Sequence, residues 1–231
     1  LNTKNELDDY DKENLFKNNV DNVLLELSSF CNRECIYCPV KTFKRNYEDL
    51  MPNYILDNII SSLKKINYNR SITLNLYNEP FYNTKTFINS LQKIRKELPN
   101  CILGTHSNGD YLNKNILNEL AKKNLLQKLK ITIHPPKQEK WTYEYIRKKF
   151  INFLKKLDVK FSINDLDKTC SLNKQFQFFT QIQKLSIFIQ GINFDDIGTY
   201  RGGAVKDHKN TYQRSQPCVR PFREFTIYYD G

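Results

Sequence analysis

Short apolar runs that alternate with helix-period segments restrict this chain to one class of fold. β-rich runs occupy 23–27, 71–76, 102–105, 129–133, 159–163 and 185–189. Each is short and largely apolar, as expected of strands buried on both faces. Helical spacing fills the intervals. Leu56, Ile59, Ile60, Leu63 and Ile66 form a stripe over 52–66, and Phe87, Ile88, Leu91, Ile94 and Leu98 form another over 84–98, with Pro99 as a stop. Further stripes lie at Ile116, Leu117 and Leu120 (113–123), at Ile146, Phe150, Phe153 and Leu154 (142–157), and at Phe176, Phe179 and Ile182 (173–184). Strand starts recur every 26 to 48 residues, the length of a βαβ unit. Six such units predict an α/β fold with a parallel sheet, either an open doubly wound sheet or a whole or partial barrel. The last run, at 225–229, precedes Asp230-Gly231 and reads as the first half of a hairpin in a separate module.

Composition narrows the function classes. With 39% hydrophobic residues among 231, the chain can fill a core, so wholesale disorder is excluded. It has no apolar run of about 18 residues, so no membrane helix is expected. The first residues, LNTKNELDDYDKENLF, are polar and acidic and unlike a secretory signal, and a cytoplasmic location follows. Lys and Arg exceed Asp and Glu by 36 − 25 = +11. The Lys pairs fall on predicted helix surfaces, so a nucleic-acid partner is not expected.

Three of the six cysteines, Cys31, Cys35 and Cys38, lie within eight residues, directly after the first strand. Clustering without an export signal points to a metal site in a reducing compartment. A structural zinc would want a fourth protein ligand, and the next histidine is His106. Three thiolates without a near fourth fit a four-iron cluster with one iron left open; a zinc knuckle is the alternative. Cys101 reads as a small buried hydrophobe, and Cys170 is assigned no role.

The pattern C-x3-C-x2-C after a first strand, with Tyr37 before the last Cys, resembles the signature of the radical S-adenosylmethionine (radical SAM) superfamily. The resemblance implies a [4Fe-4S] cluster on Cys31, Cys35 and Cys38, with S-adenosylmethionine (AdoMet) chelating the fourth iron. It implies reductive cleavage of AdoMet and hydrogen abstraction from a substrate by a 5′-deoxyadenosyl radical. The fold implied is a partial (β/α)6 TIM-like barrel. Leu76-Tyr77-Asn78-Glu79-Pro80 resembles the family's Gly-Gly-Glu-Pro element, with Tyr77 and Asn78 in place of both glycines; Asn78 and Glu79 are then AdoMet contacts. Thr105-His106-Ser107-Asn108-Gly109 resembles its Thr-Asn-Gly element and marks Ser107 and Asn108. Tyr37 and Arg201 complete the expected cofactor contacts. His134 and Asn164, read at the ends of the fourth and fifth strands, are expected to face substrate. No side chain is singled out as a catalytic acid or base.

Twelve residues separate Cys218 from Gly231. This spacing resembles the start of a SPASM/twitch extension, whose further cysteines would lie past Gly231, and implies that Cys218 ligates an auxiliary cluster in a longer protein. The expected division is an N-terminal segment at 1–22, a radical SAM barrel at 23–205 and the beginning of the extension at 206–231. The resemblance implies an enzyme that modifies a peptide or protein side chain, with flavodoxin or ferredoxin as electron donor. The alternatives are dehydrogenation or epimerisation of a sugar or aminocyclitol, RNA modification, and a non-catalytic iron–sulfur or zinc module.

Overall fold

The computed structural model describes residues 7–41, 49–135, 140–164, 166–167, 175–194 and 215–231. In chain order the elements are α1 (Asp9–Asn19), β1 (Asn22–Leu25), a 3-10 turn (Pro39–Lys41), α2 (Asn53–Lys65), β2 (Ser71–Thr73), α3 (Thr84–Glu97) and β3 (Ile102–Ser107). They continue with α4 (Lys114–Lys122), β4 (Lys128–Thr132), α5 (Tyr143–Lys156), β5 (Phe176–Ile182), β6 (Leu185–Gly191), α6 (Arg220–Arg223) and β7 (Glu224–Ile227). Among the described residues no helix is long and apolar enough to cross a membrane.

The strands form one open sheet in the order β5-β6-β4-β3-β2-β1-β7. All neighbours pair parallel except β5 and β6, which form an antiparallel hairpin. One face carries Val23, Leu25, Ile72, Leu103, Leu129, Ile131, Ile187 and Ile189, all buried. The helices cover it with the predicted stripes: Leu56, Ile60 and Leu63 of α2, Phe87, Ile88, Leu91 and Ile94 of α3, Leu117 and Leu120 of α4, and Ile146, Phe150, Phe153 and Leu154 of α5. Burial of this face is the main stabilising term.

Three helices end in the same way. Asn67, Asn124 and Asp158 follow α2, α4 and α5 with φ of 51°, 50° and 55°. The next residues, Tyr68, Leu125 and Val159, donate backbone hydrogen bonds to Leu63, Leu120 and Leu154. This pairing satisfies carbonyls of the last turn and reverses the chain, after α2 and α4 into the next strand. At the other ends, Asn83 and Asn113 cap α3 and α4 by accepting from the Thr86 and Ile116 N–H groups, at 3.2 and 3.0 Å.

Two expectations are corrected. Residues 159–163 form no strand, because β6 pairs directly with β4 over five residues and leaves no room between them. The described part of the predicted helix over 173–184 is instead β5, joined to β6 by a tight turn with Gln183 at φ 53°. Phe176, Phe178 and Ile182 also repeat with period two, and pairing along all seven residues with β6 outweighs the helical alternative. The segment expected to stand apart near the C-terminus joins the same sheet, with β7 in register with β1 from Asn22↔Glu224 to Leu25↔Ile227. Phe225 packs edge-on against Phe16 of α1 with centroids 5.2 Å apart.

Candidate functional site

All the parallel strands point their C-terminal ends at one rim, and the loop of Cys31, Cys35 and Cys38 leaves β1 there. The ends of β2, β3 and β4 reach this loop by direct bonds. From β2, Asn78 Nδ2 donates to Ser28 Oγ at 3.2 Å, and the Glu79 N–H donates to the Phe30 carbonyl at 2.8 Å. From β3, Asn108 Nδ2 donates to Asn32 Oδ1 at 2.7 Å. From β4, His134 Nδ1 lies 2.5 Å from the Tyr37 hydroxyl.

Glu79 is 2% exposed. Its carboxylate accepts from Ser107 Oγ at 2.8 Å, from the Asn108 N–H at 2.7 Å and from the Phe81 N–H at 3.2 Å. Burial pushes its pKa up to about 7, against the lowering effect of those donors. The β2 and β3 ends are thereby fastened together. Gly109 closes the β3 loop at φ 78°, where a Cβ would stand 3.0 Å from Ile131 and Phe153.

A second bracket holds the Cys loop itself. Arg33 grips Asp110 with two parallel hydrogen bonds of 2.7 Å and donates to the Pro135 carbonyl at 2.9 Å. Asn32 Nδ2 donates to the same carboxylate at 2.8 Å, and Lys149 Nζ stands 3.7 Å away. Burial raises the Asp110 carboxyl, but the bonds and charge of Arg33 outweigh it and hold it below the usual range. His134 is pushed down to about 3 by burial, then by Arg33 and Lys149. It is therefore neutral, with its Nδ1 in a hydrogen bond with the Tyr37 hydroxyl. The Tyr37 ring packs against both His134 and Phe194, with centroids at 5.8 and 4.4 Å, and those two rings lie 5.9 Å from each other.

The three thiols are half-buried and none is in a disulfide. The Cys38 N–H donates to the Cys35 carbonyl at 3.0 Å, which folds the loop back on itself. Burial pushes the Cys31 thiol up to about 12, and the charges of Glu79, Cys35 and Cys38 push the same way. Burial also raises Cys35, opposed by the Tyr37 hydroxyl and Arg33. Thiols raised in this way become thiolates when a metal centre supplies positive charge, so the donor set fits an iron–sulfur cluster. Among the described residues no three His, Cys, Asp or Glu side chains, those of Cys31, Cys35 and Cys38 included, are grouped closely enough to hold a single metal ion.

Of the residues expected from sequence, Cys31, Cys35, Cys38, Tyr37, Asn78, Glu79, Ser107, Asn108 and His134 are connected at this one rim. Asn164 is corrected: the strand expected to present it is absent, and it is exposed in a helical turn. Cys218 is half-buried just before α6, and Cys101 is buried with its thiol donating to the Tyr68 carbonyl at 3.2 Å. Arg201, Cys170 and the boundary at 205–206 lie outside the described residues. Sequence reasoning missed Arg33, Asp110 and Glu26. Glu26 is fully buried at the end of β1 and accepts from the Tyr77 N–H at 2.9 Å. An acid inside the apolar run VLLEL was its one visible signal.

Comparison with known proteins agrees with this geometry. The family model described as "4Fe-4S single cluster domain" matches residues 23–149, more than half of the chain and including the Cys loop. No curated protein matches by sequence. By fold the chain is similar to BtrN in complex with AdoMet and 2-DOIA, with TM-score 0.62 and 18% identity over 91% of this chain and 70% of that one. It is also similar to Streptococcus suis SuiB bound to the precursor peptide SuiA, with TM-score 0.48 and 12% identity over 94% and 59%. A third match is anSMEcpe with bound AdoMet and Cp18Cys peptide, with TM-score 0.41 and 18% identity over 61% and 41%. The three-thiol loop at the rim of an open parallel sheet and the family match over it lead to one assignment: the chain belongs to the 4Fe-4S single cluster domain family and has the radical SAM partial-barrel fold.

Proposed function

We propose that this chain is a radical SAM enzyme of SPASM/twitch type, in which Cys31, Cys35 and Cys38 each hold one iron of a [4Fe-4S] cluster and AdoMet binds at the remaining one. The observation that carries this reading is the convergence of the β2, β3 and β4 ends on the three-thiol loop, through Asn78, Glu79, Asn108 and His134. When bound, the cluster and AdoMet supply a carbon radical that removes hydrogen from an unactivated C–H bond.

The chain's own work is to bind, orient and keep water out. Glu79, held beside the loop by its backbone, offers the negative charge that an ammonium group of AdoMet needs. Ser107 and Asn108 present polar groups next to it, and Arg201 is assigned to the cofactor carboxylate. Tyr37 is fixed by His134 and Phe194 and offers an aromatic face to the cofactor. The Arg33–Asp110 bracket keeps the loop at one distance from the rim, and the Phe30 and Tyr82 rings, 3.6 Å apart, shield its entrance. Cys218 is assigned to an auxiliary cluster completed by residues outside this chain.

The substrate we favour is a peptide or protein side chain, with a flavodoxin or ferredoxin supplying electrons in a reducing cytoplasm. A second reading is a small molecule such as a sugar or cyclitol. It is favoured by a groove of about 870 Å³ on the inner sheet face, a size common for small-molecule sites.

Anaerobic reconstitution tests the central reading. The wild-type protein should turn brown, hold about four iron atoms and convert AdoMet to 5′-deoxyadenosine and methionine under reduction. Cys35→Ala should lose both the colour and the cleavage. Undiminished cleavage in Cys35→Ala would end this proposal.

A further inference from the structure

The inner face of the sheet, opposite the helices, is unusually polar for a parallel sheet. Its groove runs from Asp21 and Asn22 beside β1 to Phe179 and Gln181 of β5, so the sheet curls around it. Strand register sets His106, Lys130 and Phe188 side by side, with Phe179 opposite Phe188. Lys128 and Ser186 occupy the row beneath. His106 precedes the rim residue Asn108 by two positions, so this row lies about 7 Å below the rim.

The charges in the groove do not balance. Lys130 Nζ rests 5.6 Å from the Phe188 ring centroid, and that ring stacks on Phe179 at 4.3 Å. Neither Lys128 nor Lys130 has a side-chain hydrogen bond or ion pair among the described residues. The acid that lines the groove, Asp21, is already paired with Arg70 and Arg223. Burial lowers the pKa of Lys130, and burial together with Lys130 lowers that of His106 to about 4. A half-buried ammonium without a counter-charge is unfavourable until an anion meets it. A neutral His106 keeps one N–H to donate.

The geometry points to a substrate that carries an anionic group, a carboxylate or a phosphate monoester, held in this groove by Lys130 and Lys128 with a hydrogen bond from His106. This deepens the radical SAM reading by naming the substrate class, and it rests on that reading for the word substrate. The stacked Phe179 and Phe188 rings form one wall for the carbon skeleton. An anchor about 7 Å below the rim sets the distance from the anionic group to the carbon presented to the cofactor.

The test is calorimetric titration of the reconstituted full chain, in a buffer free of polyanions, with glutarate, glycerol 3-phosphate and neutral glycerol. At least one anion should bind and glycerol should not. The tighter of the two identifies the group as carboxylate or phosphate. Lys130→Met should weaken that anion at least tenfold, Lys130→Arg should stay within about threefold of wild type, and Lys12→Met on α1 should change nothing. Should Lys130→Met melt early, Lys130→Gln gives the same comparison. Absence of anion binding in the wild type, equal affinity in Lys130→Met, or an equal loss in Lys12→Met would overturn the proposal. Cleavage of AdoMet without substrate, measured on the same preparation, reports separately on the radical reading.

Discussion

His134 shows how one side chain joins the parts of the rim. Its Nδ1 shares a hydrogen bond with the Tyr37 hydroxyl, its ring stacks near Phe194, and its backbone carbonyl lies 3.5 Å from Lys149 Nζ. Burial holds its folded pKa near 3, below the ordinary 6.5. A depressed folded value means that the unfolded chain binds the proton more readily. Its contribution to stability is therefore complete above pH 6.5 and is lost as pH falls through the window toward 3. We expect the wild type to lose more stability between pH 7 and 4 than His134→Gln, measured by urea midpoints at each pH. Identical pH slopes would show that His134 is not buried neutral. Glu79 has the opposite sign: burial raises its folded pKa, so its contribution to stability is complete below pH 4.5 and is lost as pH rises from 4.5 through about 7.

At the level of elements, the helices and their ends follow local rules, and the strands follow their neighbours. Asn67, Asn124 and Asp158 supply the left-handed turn after three helices, since their short polar side chains tolerate that conformation. The β5–β6 hairpin is different in kind. Phe176, Phe179 and Ile182 suit one face of a helix, Phe176, Phe178 and Ile182 suit one face of a strand, and only pairing with β6 decides between them. The end of β6 is then packed tightly under α5: a Cβ on Gly191 would stand 2.6 Å from Ile146 Cγ2. Gly191→Ala should therefore destabilise the protein by about 1–3 kcal/mol in equilibrium urea unfolding, and a neutral effect would mean that α5 packs more loosely than described.

On the scale of the whole molecule, the sheet stays open and takes its last parallel strand from the far end of the chain. The Asp21 N–H donates to the Arg223 carbonyl at 2.8 Å, and the Glu26 N–H to the Ile227 carbonyl at 3.0 Å. Truncation after Val219 should speed hydrogen exchange at the amides of Asp21 and Glu26 by an order of magnitude or more; unchanged exchange would mean that β7 does not belong to this sheet. The α/β class, four of the helices, six of the strands and the cysteine loop could be read from the chain alone, because apolar period, cap residues and ligand spacing are local properties. The joining of Arg33 to Asp110 and Tyr37 to His134, the identity of β5, and the placing of β7 beside β1 could not. Apart from the β5–β6 hairpin, those contacts link residues from tens to about two hundred positions apart, and they form only when burial of a shared core has brought distant strands together.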